Sequence, residues 1–279
     1  MGALTLGLLG LIIGSFLNVL VLRHGGKTLG GRSECMSCGK QIAWYDNIPV
    51  VSWLLLRGHC RHCGSAISVQ YPLVEASTAI LFALIGASFP WPPASIYQAG
   101  QLFLACAAAG LLIAIAVYDI RHTIIPDAWA YTFACAALLY GFLAGPQLAP
   151  LPLLLAGPIA ALPLFALWAV SRGRWMGLGD AKLALGIGWL LGLERGLFAV
   201  FFAFILGAAV SVPLLVLSSR WWRRFMERFT PTASSPKSML GFTMGSEIPF
   251  GPFLVVSCII VWLLLINGID LAAYLAPLP

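Results

Sequence analysis

Eight long apolar runs divide this chain, and they limit what it can become more than any other feature. They are Ala3–Leu22, Leu73–Phe89, Tyr97–Tyr118, Ala128–Ala144, Leu151–Val170, Ala181–Leu193, Leu197–Leu217 and Pro252–Leu275. Runs of roughly 17–25 apolar residues match the thickness of a bilayer when helical. Only 9% of the 279 residues are charged, against about 25% in a soluble domain. A β-barrel would show alternating segments of about ten residues, and this sequence has none. The expected fold class is therefore all-α, a polytopic membrane protein of about eight transmembrane helices. The first run has no basic residues in front of it, which argues against a cleaved signal. The sixth is short and meets the seventh at Glu194-Arg195-Gly196.

Lys and Arg give the expected orientation. They crowd the loop after the first run (Arg23, Lys27, Arg32, Lys40, Arg57, Arg61) and recur after the third (Arg121), fifth (Arg172, Arg174) and seventh (Arg220, Arg223, Arg224, Arg228, Lys237). Of the residues between runs on the opposite side, only Arg195 is basic. The positive-inside rule then makes the basic loops cytoplasmic and leaves both termini outside. It divides the chain into a first helix (1–22), a cytoplasmic domain (23–72) and a membrane core (73–279). A basic insert at 218–247 interrupts the core. The insert opens with Arg220-Trp221-Trp222-Arg223-Arg224, a mixture suited to an anionic lipid surface.

Against that background two acids stand out. Asp119 ends the third run and Asp180 precedes the sixth, inside Gly177-Leu178-Gly179-Asp180. The alternation of runs puts both on the cytoplasmic side. Acids at membrane depth are costly and mark function by default. Two carboxylates close together do not both ionise readily, so one can polarise a peptide carbonyl while the other activates water. Glycines beside Asp180 admit a substrate backbone. Capping is the competing explanation, because Asp is favoured at helix starts. It is the better one for Asp127 and an equal one for Asp180. At Asp119 it fails, because a negative charge at a helix end opposes the macrodipole.

Four of the seven cysteines cluster in the first cytoplasmic loop, as Cys35-Met36-Ser37-Cys38 and Cys60-Arg61-His62-Cys63. This spacing reads as a closed structural zinc site of four thiolates. Disulfides do not suit a reducing compartment, and His59 and His62 are the alternative ligands. A domain under fifty residues benefits from such a staple. Cys106, Cys135 and Cys258 sit singly in apolar runs and read as packing residues.

Taken in order, the motifs resemble the bifunctional type 4 prepilin leader peptidases. They run from Gly14-Ser15-Phe16-Leu17-Asn18 through the cysteine loop, with Asn47-Ile48-Pro49-Val50 inside it, to Tyr71-Pro72-Leu73-Val74-Glu75. Then follow Asp119-Ile120-Arg121 with Ile125-Pro126-Asp127, Gly177-Leu178-Gly179-Asp180-Ala181-Lys182 and Ile248-Pro249-Phe250-Gly251-Pro252. The resemblance implies a bacterial inner-membrane enzyme that removes a basic leader from type IV prepilins or type II secretion pseudopilins. It further implies methylation of the new N-terminus with S-adenosylmethionine. Asp119 and Asp180 would be the catalytic pair, and Cys35, Cys38, Cys60 and Cys63 would hold Zn²⁺. Lipid is the other expected partner, and nucleic acid is not expected. No Gly-rich nucleotide loop accompanies the methyl-transfer half. Glu75 is a candidate there, and equally a buried acid serving its neighbours. The chain departs from the resemblance at Cys38's knuckle, which lacks a proline after Cys35, and at His24-Gly25. A cation transporter, a docking factor and a presenilin-like protease are the rival functions.

Overall fold

The computed structural model describes residues 1–25, 30–144, 150–218 and 249–269. Among these residues the protein is helical, with two isolated β-bridges and no strand. The helices are α1 (Gly2–Arg23), α2 (Val51–Leu55), α3 (Gln70–Ser88), α4 (Ile96–His122), α5 (Asp127–Ala144), α6 (Pro150–Ser171), α7 (Leu178–Leu191), α8 (Leu193–Ser218) and α9 (Gly251–Ile266), with a 3₁₀ turn at Trp44–Asn47. Six are long and apolar enough to cross a membrane, namely α1, α3, α4, α5, α6 and α8. The sixth and eighth expected spans form the shorter α7 and α9. Most of the 218–247 insert lies outside the described residues, as does the end of the eighth run beyond 269.

Helices in lipid associate by packing rather than by the hydrophobic effect, so small residues collect where backbones meet. The pairing of α1 with α3 shows why. A Cβ at Gly10 would lie 2.7 Å from the Ala79 Cα, and one at Gly14 would lie 2.7 Å from the Glu75 Cα. No other residue permits this approach, so α1 and α3 form one tight antiparallel hairpin. In the second half, α7 is the central helix and touches α5, α6, α8 and α9. Its Gly186 and Gly188 face Phe133 of α5 and Ala156 of α6. Prolines 158, 163 and 213 lie within α6 and α8, which membrane helices tolerate.

The two halves meet along α4, which contacts α1 and α3 on one side and α5 and α9 on the other. A polar relay ties them at one end. Arg121 donates to Gln70 Oε1 (2.7 Å), Gln70 Nε2 donates to Asn18 Oδ1 (3.4 Å), and Asn18 Nδ2 donates to the Tyr71 carbonyl (3.1 Å). Asn18 is 1% exposed, so its amide could not be left unpaired cheaply. The relay ends two residues from Asp119.

Candidate active site and metal centre

Asp119 lies in the last turn of α4, where its charge opposes the dipole of its own helix. The conflict is resolved from elsewhere. The Gly251 N–H, at the start of α9, donates to Asp119 Oδ2 at 3.1 Å. The carboxylate thus sits at the favourable end of a second helix. A Cβ at Gly251 would lie 2.5 Å from that same oxygen, so any larger residue there would displace the Asp119 carboxylate. On the backbone side, α4 stops at Thr123, whose left-handed conformation returns its N–H to the Asp119 carbonyl at 2.7 Å.

Asp180 occupies the first turn of α7, where the Gly177 backbone N–H acts on its carboxylate. This is the reach-back half of a capping box, so capping and chemistry are not exclusive here. Asp119 and Asp180 are 4% and 8% exposed, and they lie close enough for the charge of one to act on the other. Ile125 packs between their supports. Its side chain would meet a Cβ on Gly179 at 2.9 Å and one on Gly251 at 3.3 Å. Two buried acids from distant helices therefore come together beside Gly179 and Gly251.

Asp127 also lies at this end, but apart from the pair. Its carboxylate takes an ion pair with Lys182 Nζ at 2.6 Å, linking α5 to α7. Lys182 is held by this pair instead of reaching freely for the interface. Beside Asp119, Tyr118 packs edge-on against Trp129 and His24 and lies along His122. Nothing in the sequence pattern singled out that aromatic cluster.

The four loop cysteines come together as expected, with their sulfurs all within 4.8 Å of one another. Cys35 and Cys63 Sγ are 3.8 Å apart. Tetrahedral Zn–S bonds of about 2.3 Å require sulfurs about 3.8 Å apart, so the donor set fits zinc. His59 and His62 are not in the cluster, and His59 Nδ1 instead lies 2.7 Å from the Arg57 carbonyl. The N–H groups of Cys38 and Ser37, with the Ser65 hydroxyl, lower the Cys35 thiol to about 6. At Cys38 the Lys40 N–H pulls the other way, but the hydrogen bond to Cys35, burial and Cys63 outweigh it and raise the thiol to about 11.

The two knuckles are built alike. Cys35 and Cys60 N–H donate to Lys40 and Ser65, and Gly39 and Gly64 N–H donate back to Cys35 and Cys60. Both glycines sit at φ +68°, where other residues are strained. The sequence signal for this internal repeat is short, a glycine after each Cys-x2-Cys pair. Glu75 is 7% exposed. Its Oε2 accepts the Val50 N–H at 2.7 Å, and Ser15 bonds the same carboxylate.

Residues 8–89 match the Bacterial Peptidase A24 N-terminal domain, and residues 106–212 match the Type IV leader peptidase family. This chain belongs to the type IV leader peptidase family. It is 35% identical to a prepilin leader peptidase/N-methyltransferase of Myxococcus xanthus, over 78% of this chain and 64% of the relative. It is 29% identical to one of Xanthomonas campestris, over 94% and 90%. To a type 4 prepilin-like proteins leader peptide-processing enzyme of Escherichia coli it is 36% identical, over 66% and 74%. No solved structure matches this chain significantly.

Proposed function

We propose that this protein is a membrane aspartyl endopeptidase that cuts the leader from type IV prepilins or pseudopilins. It then methylates the exposed N-terminus with S-adenosylmethionine. The observation that supports the first half is the nearness of Asp119 and Asp180, both buried and both beside glycine. The orientation we propose puts that pair at the cytoplasmic face of the bacterial inner membrane, with both termini on the opposite side.

In the reaction, one carboxylate of the pair is ionised and the other protonated. The ionised group takes a proton from water as the oxygen attacks the scissile carbonyl. The protonated group donates to the carbonyl oxygen. Collapse of the tetrahedral intermediate then breaks the C–N bond, the departing amine receives the proton held by the first acid, and one hydroxyl of the intermediate returns its proton to the second acid as the C=O bond re-forms. The substrate is itself an apolar helix and enters sideways from the bilayer, with its basic leader on the cytoplasmic side.

The methyl half belongs to the cysteine-bearing loop. Cys35, Cys38, Cys60 and Cys63 hold a structural Zn²⁺, which fixes two small knuckles that have little core of their own. Glu75 serves this half by fixing the Asn47–Val50 loop through its bond to Val50.

The test is to incubate purified protein with a prepilin, with and without S-adenosylmethionine, and weigh the products. Leader loss in both arms and one added methyl group in the second is the expected result. An intact prepilin in both arms overturns the reading. Chelation should remove methylation before cleavage, and the reverse order contradicts the proposed division.

A further inference from the structure

The loop that carries the cysteines does not stand clear of the membrane. Pro49 and Val51 close a three-residue turn, with the Val51 N–H on the Pro49 carbonyl at 2.6 Å and Val50 at φ +61°, ψ −50°. This is the rare, strained form of the γ-turn, and a β-branched residue is especially unsuited to it. The turn points the Val50 N–H outward, onto Glu75. Glu75 in turn lies against Gly14, and Gly14 is nine residues inside α1 from Arg23, the first charge of that helix. At 1.5 Å per residue the contact lies about 13 Å along α1 from that charge. Half the hydrocarbon core is only about 15 Å thick.

The rest of the loop is suited to that depth. Asn47 and Pro49 line a cleft of about 350 Å³ with Ile12, Ser15, Phe16 and Val19. Ile12 and Phe16 belong to the exposed face of α1, 63% and 50% accessible, which in a membrane helix is the lipid-facing side. That face continues onto the loop, where Trp44, Leu54 and Leu55 are 76%, 61% and 78% exposed. Backbone polar groups within a leaflet need internal partners, and several here have them. Ser52 and Leu54 N–H donate to Ile48 and Val50, the Ser52 hydroxyl donates to Tyr45 and Ile48, and Glu75 takes the Val50 N–H. The charges stand at the rim. Arg57 follows the apolar stretch, and Arg61 pairs with Asp46 at 2.6 Å beneath the Tyr45 ring, an arrangement of cation and aromatic typical of the headgroup level.

We propose that residues 44–56 form a re-entrant element seated in the leaflet on the side of the aspartate pair, with lipid acyl chains as the partner of its exposed apolar face. The cysteine knuckles then ride on the membrane surface instead of projecting into water. The proposal stands whether or not the loop serves methyl transfer.

The test uses the whole protein in nanodiscs of phosphatidylethanolamine and phosphatidylglycerol. The photo-reactive residue p-benzoylphenylalanine replaces Leu55, Trp44 or, as the water-facing control, Lys40, in three separate proteins. After irradiation the intact mass is read. Phospholipid adducts at Leu55 and Trp44, and none at Lys40, are expected, with the lipid adducts persisting when an uncleavable prepilin is added. Absence of lipid adducts at both apolar positions overturns the proposal. So does their replacement by prepilin adducts, which would make this face a docking surface for the substrate helix. An unchanged helical circular dichroism signal for each variant shows that the fold is intact.

Discussion

Among the described residues three acids are buried, one in the α1–α3 hairpin and two in the bundle around α7. In the hairpin, Glu75 is engaged by the Val50 N–H and by Ser15. In the bundle, the described residues supply Asp119 with the Gly251 N–H and Asp180 with the Gly177 N–H, one donor for each carboxylate. An ionised carboxylate offers about four acceptor positions. The bundle acids therefore keep acceptor capacity for a substrate and water, whereas Glu75 ties down a strained loop. An acid inside a membrane is not by itself a catalyst; what its neighbours leave unused decides.

The sharpest way to break this comparison is to neutralise each acid. Asp119→Asn or Asp180→Asn should slow prepilin cleavage by at least about 10²–10⁴-fold, with membrane insertion unchanged in a fractionation assay. A full cleavage rate in either variant would remove that residue from the mechanism. Next in size is Gly251→Ala. Its Cβ would push against Asp119 Oδ2, and a displacement of about 1 Å costs roughly 10²-fold in rate. Cleavage kinetics should show this as a fall in kcat more than a rise in KM.

Glu75 should behave differently. Glu75→Leu leaves the Val50 N–H unpaired at a cost of about 1–3 kcal/mol, so thermal unfolding in detergent should come earlier and methylation should fall while cleavage persists. Glu75→Gln keeps an acceptor oxygen and should restore most of both. Failure of glutamine to rescue methylation would assign Glu75 a chemical role after all. The smallest effect belongs to Lys182→Gln. Asp127 is largely exposed in that ion pair, and such pairs contribute about 0–1 kcal/mol. A large loss of cleavage there would place Lys182 inside the site.

What could be read from the sequence follows the range of the interaction. Asp119 and Asp180 could be placed on one face because charge asymmetry between loops is visible residue by residue. The cysteine cluster was legible because its ligands come in short pairs. Gly251 matched a motif, but its partner is Asp119, 132 positions away, and no local pattern reports such a bond. Asp127 was the better capping candidate, yet its carboxylate pairs with Lys182 on another helix. The 44–56 stretch was hidden by its flanks. Charges on either side made the whole loop look aqueous, although eleven of its thirteen residues carry no charge or amide.

Asp119 receives its backbone donor from the last described helix. During synthesis α4 enters the bilayer before Gly251 leaves the ribosome, so a nascent chain carries both aspartates for some time without that donor. Until that segment is made, Asp119 lacks its Gly251 donor, and leader cleavage should be absent. Chains truncated before Pro249 should insert and bind metal, yet cut nothing.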